Sequence, residues 1–169
     1  MLHADCAYRT KHGILLKGPG TLFQYAAGLA AVLEPHPEIQ IVLSTSWVRE
    51  LGFDKAKSHL PVPLQDRVIG ATYHSAFESR NSPWFEVDAG TAWLSLTRYQ
   101  QIARHVARHN ITDWLALDDD NEGWPAEKNH RLMHTAGECG LNEAAVAALR
   151  AVLENRCEAV DTSCARFKQ

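Results

Sequence analysis

The chain has 169 residues, of which 46% are hydrophobic and 22% charged, and its formal net charge is −3. That is enough apolar material to bury the core of one compact domain, and the mildly negative balance argues against a general nucleic-acid-binding surface. No apolar run approaches the roughly 20 residues that span a bilayer, and the amino terminus lacks the basic and apolar regions of a secretion signal, so a cytoplasmic protein with a small partner is expected.

The opening, Met1-Leu2-His3-Ala4-Asp5, reads as loop, and Gly18-Pro19-Gly20 closes the first segment. Thr21 is predicted to cap a helix over residues 21–33, which Pro35 and Pro37 then stop. A strand follows over residues 39–43, and a helix starts at Trp47 and runs to Leu51. Helical character over residues 54–59 breaks at Pro61 and Pro63, before a shorter strand over residues 67–72. Residues 74–89 read as loop, with 73–91 placed as a modest lid over the strand ends and Trp84 and Phe85 as surface aromatics anchored in the core. A helix is expected over residues 97–109, turning Ile102 and Val106 inward, and a last alanine-rich helix over residues 142–153. The domain is taken as residues 1–153, with 154–169 a frayed tail.

Two apolar runs end abruptly in polar atoms: Ile41-Val42-Leu43 in Ser44-Thr45-Ser46, and Trp114-Leu115-Ala116-Leu117 in Asp118-Asp119-Asp120. Each has the length and apolarity of a buried parallel strand, and open α/β sheets bind ligands beside the carboxyl ends of such strands. The alternation of helix and strand therefore predicts a three-layer, Rossmann-like α/β fold, a parallel sheet with helices on both faces, in which hydroxyls and carboxylates share one crevice.

The run from Leu2-His3 through Tyr8-Arg9-Thr10, then Ile41 to Trp47, Thr97-Arg98-Tyr99 and Leu117 to Trp124, resembles the haloacid dehalogenase (HAD) superfamily, and more narrowly the small HAD-like domains of bacterial RNA-repair proteins. The resemblance covers residues 1–153 and rests on a hydroxyl motif, a basic residue and an Asp pair in that order. It implies that Thr45, or Ser44 in the alternative register, holds a phosphoryl oxygen. It implies that Arg98, in a motif that is usually Lys, neutralises charge on the phosphoryl group, which a guanidinium does by bridging two anions. Asp118 and Asp119 are implied as ligands of Mg2+, a hard cation that prefers oxygen. The implied activity is magnesium-dependent hydrolysis of a small phosphomonoester, with a nucleotide or an RNA-end phosphate among the substrates.

One motif of the superfamily is missing: a first strand ending in Asp-x-Asp-Gly, which carries the nucleophile and the general acid-base. Asp5 follows no apolar run and is not assigned to that role. In the superfamily's sheet that strand lies between those bearing Thr45 and Asp118, and each buried backbone group left without it costs about 1 to 3 kcal/mol. The nucleophile is therefore expected upstream of Met1. The alternative is a catalytically silent HAD-like module that binds a phosphorylated ligand or a partner protein.

Other patterns carry less. Asp118, Asp120, Glu122 and Gly123 imitate the start of a calcium loop, but Asn129 stands where a bidentate Glu is needed. His130 with His134, and His105 with His109, have helical i, i+4 spacing without the Glu of a zinc-protease motif, and are read as solvent-facing or locally bonded. Cys6, Cys139, Cys157 and Cys164 form no CxxC pair and are read as free thiols. Trp47 and Trp124 follow the two polar motifs and are weighed as core packing against stacking on a nucleobase.

Overall fold

In the computed structural model, which describes residues 2, 7–11, 13–16, 20–74, 93–137 and 140–165, the chain opens as a hairpin. Strand β1 (Ala7–Thr10) pairs antiparallel with β2 (Gly13–Leu16), Thr10 opposite Gly13. No strand was expected over residues 7–16, where a turn at Lys11 lets two short stretches pair, and Met1, His3, Ala4 and Asp5 of the expected loop lie outside the described residues. The next helix, α1 (Ala26–Leu33), begins later than residue 21. Phe23 sits at φ +59°, a left-handed conformation that interrupts helical backbone, and Thr21 does not cap α1 but donates its N–H to Gln24 Oε1 at 3.0 Å.

The apolar run at 41–43 forms β3 (Ile41–Leu43), and Thr45 caps the helix that follows, α2 (Ser46–Leu51), by accepting the Trp47 N–H. Helices α3 (Phe53–Ser58) and α4 (Val62–Gln65) lead to β4 (Val68–Ala71), which lies parallel to β3. The ladder reaches one residue further, since the Thr72 N–H donates to the Leu43 carbonyl at 2.9 Å. Helix α5 (Arg98–Arg108) starts at a reciprocal cap in which Thr97 accepts from Gln100 N–H and the Gln100 side chain accepts from Thr97 N–H. Strand β5 (Ala116–Asp118) runs parallel to β6 (Leu132–His134), Asp118 opposite His134, after a 3₁₀ segment over Ala126–Arg131. His130 therefore lies in the 3₁₀ segment and His134 in a strand, so their spacing does not put them on one helix face. The last helix, α6 (Glu143–Ala165), continues well past Leu153.

Chain contacts divide the protein into two units, residues 1–37 with 135–169, and residues 38–134. In the first, α1 lies along α6, and the missing Cβ of Gly28 permits the approach, since an added one would meet Val146 Cγ2 at 3.2 Å. In the second, Val48, Ala56, Leu64, Val68, Ile102 and Ala116 are buried. The architecture is mixed α/β with two short parallel sheets. The described strands form three separate pairs, and none of them is hydrogen-bonded to both β3 and β5. No helix among the described residues is long and apolar enough to cross a membrane. Cys6, Cys139, Trp84, Phe85 and the lid expected over 73–91, apart from Tyr73 and His74, lie outside the described residues.

Candidate functional site

Asp118 closes β5, with its side chain only 6% exposed. Its Oδ1 accepts the backbone N–H groups of Asp119 at 3.0 Å and Asp120 at 3.2 Å, which folds the acidic triplet into a tight turn around its first member. Its Oδ2 lies 3.2 Å from Arg98 Nε, an ion pair whose N–H is not aligned as a hydrogen bond. Burial pushes the Asp118 carboxyl up to about 6. The neighbouring Asp119 carboxyl adds to this, while Arg98 and the Asp120 N–H oppose it.

Arg98 is the first residue of α5, and the second half of the acidic turn holds that helix start in place. Gly123, at φ +73°, passes so close to Thr97 that a Cβ would meet its Oγ1 at 2.9 Å. The Trp124 ring packs at 5.0 Å from Tyr99 and 6.1 Å from Trp114. His134 Nε2 is hydrogen-bonded to the Asp119 carbonyl at 3.1 Å, tying the turn to β6.

The hydroxyl motif occupies the end of the other parallel pair. Thr45 Oγ1 accepts the Trp47 N–H at 3.3 Å, which leaves its proton to donate. Ser44 Oγ receives a hydrogen bond from Thr72 Oγ1 at 3.4 Å, and Thr72 is 5% exposed. Trp47 stacks edge-on to His59 at 5.5 Å.

Arg98, Asp118 and Asp119 are thus brought together, and Ser44 and Thr45 stand at the end of a separate strand pair in the same unit. Among the described residues no hydrogen bond or ion pair joins the two groups. His105 and His109 do meet, ring to ring at 4.4 Å. Burial lowers the His105 pKa, with His109 and Arg108 acting in the same direction. A groove of about 580 Å³ along α1 and α6, lined by Tyr25, Asn142 and Arg150 among others, contains none of the candidate residues.

Sequence reasoning passed over Thr72 and Gln101. The first is a strand-end hydroxyl beside Ser44, and the second is a helical amide that accepts from Arg98 Nη1 at 3.0 Å. The signals that could have found them are positional: Thr72 ends the strand paired with that of Ser44, and Gln101 lies three residues beyond Arg98 on one helix.

Over residues 1–146 the chain matches the family described as the HAD domain in Swiss Army Knife RNA repair proteins. The chain belongs to this family. Nothing among curated proteins or solved structures matches it.

HAD proteins generally use Mg2+, and the donor set of this HAD domain fits a hard divalent cation in kind. Asp118 and Asp119 set two carboxyl groups side by side, and the charge of Asp119 adds to the rise of the Asp118 pKa. Because the Arg98 N–H is not aimed at Oδ2, that oxygen keeps coordinating capacity. Among the described residues, no three His, Cys, Asp or Glu converge as a metal site. The HAD domain thus offers two carboxylates, the number magnesium commonly takes from protein alongside waters and phosphate oxygens.

Proposed function

We propose that this HAD domain is a magnesium-dependent phosphohydrolase acting on a phosphomonoester, with a nucleotide or RNA-end phosphate as substrate. The observation that carries the reading is the Arg98 and Asp118 pair at the end of β5, where a buried carboxylate beside a second one faces a guanidinium. Arg98 neutralises phosphoryl charge, and the hydroxyl protons of Thr45 and Ser44 orient phosphoryl oxygens. Asp118 and Asp119 hold the metal, which when bound supplies charge neutralisation between phosphoryl oxygens and carboxylates. In this reading residues 1–153 form one three-layer, Rossmann-like domain of a cytoplasmic protein. Residues 1–169 contain no Asp-x-Asp-Gly motif, so no nucleophile is assigned within them.

The half-buried Tyr99 and Trp124 rings, which pack 5.0 Å apart on the residue after Arg98 and in the turn that follows Asp118, favour a nucleotide or an RNA end over a bare sugar phosphate, since aromatic faces stack on bases. The lack of an Asp-x-Asp-Gly sequence favours a second reading, a HAD-like module that binds a phosphorylated ligand without turning it over. Phosphate release from a 5′- or 3′-phosphorylated oligoribonucleotide separates the two. With magnesium present, release that Asp118→Asn abolishes is expected. Binding of the same oligonucleotide with no release supports the silent module.

A further inference from the structure

The Arg98 guanidinium is engaged by one ion pair and one hydrogen bond. Nε faces Asp118 Oδ2 at 3.2 Å, and Nη1 donates to Gln101 Oε1 at 3.0 Å. Gln101 is itself fixed: its Nε2 donates to the Leu96 carbonyl at 3.2 Å. That bond orients the amide with its oxygen toward Arg98, because an amide turned over would set NH2 against the guanidinium. The Leu96 carbonyl directly precedes the Thr97 and Gln100 reciprocal cap, so the chain of contacts ends in backbone that the helix start has already ordered. Among the described residues Nη2 has no partner.

We propose that Gln101 is a positioning residue that aims Arg98 Nη2 at a phosphoryl oxygen, and that this arrangement requires arginine at position 98. A lysine ammonium is a single nitrogen on a flexible stem and lacks the rigid fork that meets Asp118, Gln101 and an anion at fixed angles. The inference rests on reading Arg98 as a phosphoryl-binding group. It adds that the binding strength depends on a side chain that touches no substrate.

Calorimetric titration of inorganic phosphate into the 169-residue chain tests it. The variants are Arg98→Ala, Arg98→Lys, Gln101→Met, which keeps length and helix propensity while removing both hydrogen bonds, and the double variant Arg98→Ala with Gln101→Met. Gln101→Ala serves as a second probe should the Met variant fold poorly, with melting curves monitoring all of them. Arg98→Ala is expected to weaken binding at least tenfold and Gln101→Met about five- to tenfold, within the range of an ordinary hydrogen bond's net contribution. The double variant is expected to bind no more weakly than Arg98→Ala, a non-additivity that a general structural role for Gln101 does not produce. Arg98→Lys is expected not to restore wild-type binding. Wild-type affinity in both Gln101 variants, additive losses in the double variant, or full recovery by Lys overturns the inference. Absent phosphate binding in wild type, or unchanged binding in Arg98→Ala, overturns the phosphoryl-site reading beneath it.

Discussion

Arg98 Nε and Asp118 Oδ2 approach to 3.2 Å, yet the guanidinium only partly offsets what burial does to the carboxyl, which remains at about 6. A carboxyl in that state takes up a proton or a cation readily. Removing Arg98 leaves it with burial and Asp119 unopposed. Arg98→Ala is therefore expected to raise the Asp118 pKa further and to cost about 1 to 3 kcal/mol at neutral pH, since Arg98 is itself 23% exposed. Urea unfolding at pH 7, with NMR titration of the carboxyl, checks both.

The same carboxyl sets a pH dependence of stability. Asp118 has a pKa of 3.8 in the unfolded chain and about 6 in the folded one, so folding takes up a proton between those values. The folded state is favoured on the acid side, and this contribution is lost as pH rises through about 4 to 6. Asp118→Asn lacks that dependence. Its stability relative to wild type is expected to improve by at most about 3 kcal/mol between pH 4 and pH 7 without magnesium. Parallel wild-type and variant profiles would show the shift to be absent.

His105 acts in the opposite direction. Burial lowers its pKa, so protonation favours the unfolded chain, and stability present above 6.5 is lost as pH falls below it. His105→Gln, which cannot be protonated in this range, is expected to flatten the acid side of the curve between pH 7 and pH 5. Thermal melts across that interval measure it.

Gly123 couples the acidic turn to the cap of α5. Substitution by Ala meets a strained φ of +73° and a Cβ only 2.9 Å from Thr97 Oγ1. Gly123→Ala is expected to destabilise by about 1 to 2 kcal/mol, and Thr97→Val, which removes the cap acceptor, by about 1 kcal/mol. Because the two changes disturb one contact, their double variant is expected to cost less than the sum. Chemical denaturation of the set gives the coupling.

Several elements were legible in the sequence because burial writes itself as apolar runs. Residues 41–43 and 116–118 are strands in parallel pairs, and Ile102 faces the core as its position in the helical period implies. The β1 and β2 hairpin was not, since Ala7-Tyr8-Arg9-Thr10 has no apolar run and its pairing depends on a turn. Strand β6 is three residues long and was read only as half of a histidine pair. Helix α1 starts late because Phe23 takes a left-handed conformation that no composition rule assigns to phenylalanine. At the site, the charged residues stand out by type, whereas Gln101 and Thr72 matter through hydrogen-bond geometry, which side-chain type alone does not encode.

Magnesium titration into the 169-residue chain, followed by calorimetry at pH 7.5 for wild type, Asp118→Asn and Asp119→Asn, tests most directly whether the acidic turn is a metal site. One binding event in wild type, weakened at least tenfold in each variant and weakening in wild type as pH falls through about 6, is the result predicted. Equal affinity in all three proteins would contradict it.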